Sequence, residues 1–199
     1  MATSSSRYSR KAATKRYKRK YLLVCEGDVT EPEYFDQLKG LYREAIINIT
    51  CLKNHHSDPT SLIKRANREI HSLLKGDELW IILDMDEWTK EQFAELEQWS
   101  APQKGRYVAI SRPCFEIWLI MHETTLNDWS KKACQSYFSE NISRGKKGLR
   151  LNWLTAEKLK KAVTQAKTRD TGQVGIIPNV PTSKVYQLIE NIDRFKQTK

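Results

Sequence analysis

Two unbroken apolar runs, Tyr21-Leu22-Leu23-Val24-Cys25 and Leu79-Trp80-Ile81-Ile82-Leu83, each end on an acidic residue, Glu26 after the first and Asp84 after the second. Apolar runs of roughly 4–8 residues without polar alternation suit strands buried on both faces. Such strands belong to parallel sheets covered by helices, and the carboxyl ends of those strands are where an open α/β sheet collects its ligands. Carboxylates at that position point to a hard cation.

The rest of the chain supplies the alternating partners. A first strand is expected at 20–25, with Glu26-Gly27 as its turn. Thr30-Glu31-Pro32-Glu33 then reads as a helix start, with Thr30 as cap and Glu33 at the capping-box position, ahead of Tyr34, Leu38, Leu41 and Tyr42 at helical spacing. A second strand is expected within 45–52. Asp58-Pro59 opens a helix carrying Leu62, Ala66, Ile70, Leu73 and Leu74, with Gly76 as its stop. After the third strand, Thr89-Lys90-Glu91-Gln92 forms a capping box, Tyr107-Val108-Ala109-Ile110 a fourth strand, and Pro113 the start of an apolar helix. Four β-then-α units predict a doubly wound, mostly parallel four-stranded sheet with helices on both faces. Beyond residue 125 the pattern turns helical, at 130–140, at 155–168, and in a last helix bearing Val185, Leu188, Ile189 and Ile192. The expected organisation is a basic tail at 1–19, an α/β core at 20–125 and a helical C-terminal extension at 126–199.

Charge is segregated along the chain. The net +10 arises from basic flanks: residues 1–20 carry eight basic side chains and no acid, and residues 141–175 carry nine against two acids, whereas 21–140 is acidic overall. Basic flanks around an acidic centre suit a protein that grips a polyanion by its phosphates and offers carboxylates to a cation. The loop Arg144-Gly145-Lys146-Lys147-Gly148-Leu149-Arg150 is the best candidate grip, because its glycines permit close approach. The four cysteines have no zinc-ligand spacing, the longest apolar stretch is too short to span a bilayer, and no signal-like segment opens the chain. A reducing cytoplasmic setting is therefore expected, with no membrane partner and buried free thiols.

The acidic residues carry the chemistry. Mg²⁺ takes oxygen ligands, usually one or two carboxylates plus waters, so Glu26, Asp84 and Asp86 suffice as a ligand set, with Mn²⁺ as an alternative ion. Asp84-Met85-Asp86 would send both carboxylates to one side if the strand continued, although Asp86 belongs more naturally to the following turn.

These residues resemble a known family. Leu23-Val24-Cys25-Glu26-Gly27-Asp28-Val29-Thr30-Glu31-Pro32-Glu33-Tyr34-Phe35 is similar to the opening motif of the RloB-like proteins, which have a Toprim-type fold. Asp84-Met85-Asp86 and Ser111-Arg112-Pro113-Cys114-Phe115-Glu116-Ile117-Trp118-Leu119 resemble the two later motifs, and Pro181-Thr182-Ser183-Lys184-Val185 is a fainter echo of the C-terminal end. The resemblance implies a Toprim-like metal site at Glu26, Asp84 and Asp86 serving Mg²⁺-dependent phosphodiester cleavage. It also implies an anti-phage nuclease that acts on nucleic acid, RNA and transfer RNA included, with an ABC- or AAA-type ATPase partner. Arg112 stands where relatives more usually have Asn, and adds a cation beside the expected site.

Other residues admit two readings. Glu31 either complements the helix dipole or completes a metal site. Glu116 lies in an apolar helix, where a carboxylate needs a metal or an ion pair, Arg112 at i−4 being the rival partner. Arg112, Arg144, Lys146, Lys147 and Arg150 are candidate nucleic-acid contacts. Trp88, Trp129 and Trp153 could stack on bases, although six tryptophans in so small a domain belong more often to the core. Two other functions compete with the nuclease: a non-catalytic subunit that binds nucleic acid or docks on an ATPase, and a haloacid-dehalogenase-like phosphatase. The latter's Asp-x-Asp follows the first strand, where this chain has a glutamate.

Overall fold

A computed structural model describes residues 19–42, 47–52, 58–85, 88–145, 148–171 and 175–197. The basic arm before residue 19, His55-His56, Asp86, Lys146 and Lys147 lie outside them. The chain forms a mixed α/β structure. Strands β1 (Arg19–Cys25), β2 (Ile47–Leu52), β3 (Glu78–Asp84), β4 (Arg106–Arg112) and β5 (Thr182–Ser183) make one sheet in the order β2-β1-β3-β4-β5. The first four are parallel, and the two-residue β5 runs antiparallel along β4.

Strand alternation separates two cores. Tyr21, Leu23 and Cys25 of β1 and Trp80 and Ile82 of β3 face one side, and Leu22, Val24, Leu79, Ile81 and Leu83 face the other. The second side is covered by α2 (Pro59–Asn67) and α3 (Lys90–Trp99). The first is covered by α1 (Thr30–Leu41) and α4 (Glu116–Glu123), together with α5 (Lys131–Tyr137), α6 (Ala156–Arg169) and α7 (Val185–Gln197). Cys134, Leu159 and Leu188 join the same apolar cluster as Tyr21 and Trp80, so residues beyond 125 close one face of the sheet. Each fully buried Leu, Ile or Phe contributes about 1.5–3 kcal/mol by leaving water, which is why this face needs so many helices.

Several local expectations meet their tertiary context here. The Thr89–Gln92 capping box forms as read. Thr30, by contrast, is the first helical residue of α1 rather than its cap, since the N-cap is Val29 and makes no side-chain bond. The helix after Pro59 ends at Asn67, short of Gly76, and Leu74 is left exposed. Arg19, read as tail, is the first residue of β1 and pairs with Glu78 at 2.6 Å. Strand β5 was not foreseen, because two residues carry no periodic signal. Cys25, Cys114 and Cys134 are buried free thiols. Among the described residues, no helix is long and apolar enough to cross a membrane.

Candidate metal centre

The strand order reverses between β1 and β3, and both Glu26 and Asp84 stand at the carboxyl ends of those strands. The Glu26 N–H donates to the Ile82 carbonyl (3.0 Å), extending the pairing by one residue, and the Asp84 N–H donates to Glu26 Oε2 (2.8 Å). Glu26 is thereby held against the end of β3 by backbone geometry.

Glu31 enters from the first turn of α1. It is buried, and its Oε1 accepts the Gly27 N–H at 3.1 Å. Gly27 is required by this contact: a Cβ built there would lie 2.0 Å from Glu31 Oε2. Burial, then the charges of Glu116 and Asp28, push the Glu31 pKa from 4.5 up to about 7, against the lowering effect of backbone hydrogen bonds. Glu116 begins α4, half-buried, in the same cleft. This cleft, of about 520 Å³, is lined by the acids Glu26, Asp28, Glu31, Asp84 and Glu116 together with Gln135, Phe138 and Ser139. Among the described residues its wall includes no Lys, Arg or His.

The donor set fits a hard divalent ion. All the charged donors are carboxylates, and burial together with the charges of Glu116 and Asp28 disfavours an ionised Glu31, a penalty that a cation would relieve. The arrangement is open: among the described residues no three Asp, Glu, His or Cys side chains are close enough to form a ready-made cage. Mg²⁺ does not need one, since it keeps most of its waters. Of the expected ligands, Glu26, Glu31 and Asp84 share the cleft with Glu116, and Asp86 lies outside the described residues.

The expected phosphate contacts fare unequally. Arg112 is turned away, with Nη1 donating to the carbonyls of Pro178 and Asn179 at 2.9 Å each, so it ties down the 178–179 loop rather than pairing with Glu116. Arg144 is on the surface and gives one bond to Glu33 (3.3 Å), while Arg150 is exposed and donates to the Ser143 carbonyl at 3.4 Å. Glu33 also accepts the Leu149 N–H (2.6 Å), so the acid expected in a capping box instead pins the basic loop to α1. Trp129 and Trp153 are buried beneath the cations of Arg169 (4.7 Å) and Lys158 (4.9 Å), which removes them as base-stacking surfaces. Trp88 donates to the Asp84 carbonyl at 3.2 Å.

Sequence reasoning missed Gln135, Phe138 and Ser139. They reach the cleft because α5 runs on into a π-turn, Phe138–Ile142, a feature with no periodic signature that is frequent at functional sites. The family model described as RloB-like protein matches residues 21–192. The chain belongs to the RloB-like family. The match runs from β1 into α7 and takes in every wall of the cleft, so the C-terminal helices of this RloB-like chain are part of the family unit. Comparison with curated proteins and with solved structures finds no match.

Proposed function

We propose that this RloB-like chain is a Mg²⁺-dependent endonuclease of Toprim type, with a doubly wound core, that cleaves phosphodiesters in RNA, transfer RNA among them. The observation that carries the reading is the convergence of Glu26, Glu31, Asp84 and Glu116, from three separate parts of the sequence, on one cleft at the point where strand order reverses. Its role in anti-phage defence, in the cytoplasm and beside an ABC- or AAA-type ATPase, is supported by the family resemblance.

Glu26 and Asp84 would hold the ion, with Asp86, next but one in the sequence, as a further candidate and Glu31 and Glu116 completing the surface. A bound Mg²⁺ or Mn²⁺ supplies charge neutralisation at the scissile phosphate and at the leaving oxygen. The chain's own residues do the positioning. The Asp84 N–H fixes one Glu26 oxygen, and the Gly27 N–H fixes one Glu31 oxygen. With a pKa of about 7, the Glu31 carboxyl can hold a proton near neutral pH or release it. Gln135 and Ser139, which also line the cleft, offer neutral hydrogen-bonding groups to a phosphate or sugar. Arg144 and Arg150, with Lys146 and Lys147 of the same loop, would follow the nucleic-acid backbone.

The deciding assay incubates the full chain, alone and with an ATPase encoded beside its gene, with total RNA and plasmid DNA in Mg²⁺, Mn²⁺ or EDTA. New ends should appear only with a divalent ion and be lost in Glu26→Ala and Asp84→Ala. Cutting that survives EDTA, or persists in both variants, would remove the nuclease reading.

A further inference from the structure

A second cleft, of about 550 Å³, opens beside the first and shares Asp28 and Val29 with it. Its apolar surface comes from Val29, Pro32, Leu149 and Leu151. Val29 is 38% and Leu151 79% exposed, two of the four large apolar side chains standing in solvent among the described residues. Scattered exposed apolar residues are ordinary, but two on one cleft mark a contact surface. Arg144 stands on the rim, its side chain 56% exposed, with one bond to Glu33 out of about five donors on a guanidinium.

This cleft is held in shape. Glu33 binds the Leu149 N–H, Gln37 Nε2 donates to the Arg150 carbonyl (2.9 Å), and Gln37 Oε1 accepts the Leu154 N–H (3.0 Å). The loop carrying Leu151 is thus clamped to α1 on both sides. Gly148 makes the clamp feasible, with φ +86° and Glu33 Oε2 only 2.7 Å from where a Cβ would be. The nearby Asp36 is answered by Lys39 at 3.1 Å.

We propose that this cleft seats an unpaired base of a single-stranded nucleic acid. Leu151 and Val29 lie against the base, and Arg144 meets the backbone phosphate that joins it to the nucleotide over the carboxylates. The inference rests on the nuclease reading for the ligand of the first cleft. An apolar surface beside an exposed guanidinium matches a base followed by a phosphate, and continuity with the carboxylates places the strand's course across both clefts. Bases paired in a duplex cannot enter, so unpaired loops and ends are the substrates.

The test uses the full chain carrying Glu26→Ala, in Mg²⁺, with a short fluorescein-labelled single-stranded RNA, the same RNA paired to its complement, and an abasic version. Leu151→Asp should weaken binding of the single strand about tenfold more than binding of the abasic strand, whose phosphates meet the same added charge but which has no base to lose. Arg144→Ala should weaken both, and the duplex should bind poorly to every form. A 4-thiouridine in the single strand should crosslink at 149–151. Leu151 is so exposed that its replacement should not move the melting temperature, which separates lost contact from lost fold. Unchanged single-strand affinity in Leu151→Asp, or crosslinks mapping elsewhere, overturns the base seat and leaves this face to a protein partner. Cleavage by the unsubstituted chain, measured in parallel, reads the first proposal separately: cutting without dependence on Leu151 removes only the seat, and Leu151-dependent binding without cutting under any metal removes only the nuclease.

Discussion

Glu78 and Glu26 are glutamates at opposite ends of the two central strands, and their surroundings differ in kind. Glu78 opens β3, 1% exposed, and its oxygens receive Arg19 Nη2 (2.6 Å), the Trp80 indole N–H (2.8 Å) and the Asn191 amide (3.2 Å). Burial raises its pKa, while those partners pull it back down. Glu26, at the other end, takes a backbone N–H from Asp84 and shares its cleft with Glu31, Asp84 and Glu116. A carboxylate kept for structure brings its cation from within the chain. The carboxylates at the far end are gathered in one cleft, where Glu26 and Glu31 each accept a backbone N–H, and the proposed divalent ion would supply the balancing charge.

The contrast can be broken most directly by substitution at each end. Glu26→Gln and Asp84→Asn should each reduce divalent-dependent cleavage on the order of 10²–10³-fold, the scale of losing a charge-stabilising group in an active site, with thermal melting nearly unchanged. Glu78→Ala should do the reverse, costing about 3–5 kcal/mol in urea unfolding because the buried Trp80 and the half-buried Arg19 and Asn191 donors lose their acceptor, while cleavage per folded molecule stays the same. Exchanged outcomes would show that the structural and functional ends have been misassigned.

Glu31 sharpens the comparison through pH. Its folded-state pKa lies above the ordinary 4.5, at about 7, so in EDTA its contribution to stability is complete below pH 4.5 and is lost as pH rises through 7. The slope is at most about 1.4 kcal/mol per pH unit, and Glu31→Gln should flatten it. Mn²⁺ affinity, read by calorimetry, should climb over the same interval as the proton leaves. An affinity independent of pH between 5 and 8 in roughly that window would place Glu31 outside the ion's reach. A small effect on stability is also expected from Gly27→Ala. The three atoms nearest the new methyl all belong to the Glu31 carboxylate, the far end of a side chain that can shift, so unfolding should change by about 1 kcal/mol or less, yet cleavage should drop because Glu31 is displaced.

The sheet was legible because burial on both faces leaves an unbroken apolar run, and because the acidic residue closing each run is adjacent in sequence to the strand that positions it. For the same reason Glu26 and Asp84 could be named before any coordinates. Glu31 and Glu116 could be named only as ambiguous acids. Their meeting depends on α1 and α4 packing on the same face of the sheet, a long-range event. The contact of Arg112 with the carbonyls of Pro178 and Asn179 was not legible, because those partners lie 66 and 67 residues away.

By itself, then, the sequence determined the parallel α/β frame, the ends of the strands where acids accumulate, and the basic character of the loop at 144–150. Only the tertiary structure decided that Gln135, Phe138 and Ser139 join the lining of the cleft, that Glu33 clamps the basic loop instead of capping its own helix, and that two tryptophans fill the core. The physical reason is range. Apolar periodicity is a local consequence of burial, whereas the partner of a polar side chain is whichever donor or acceptor the packed chain brings within hydrogen-bonding distance.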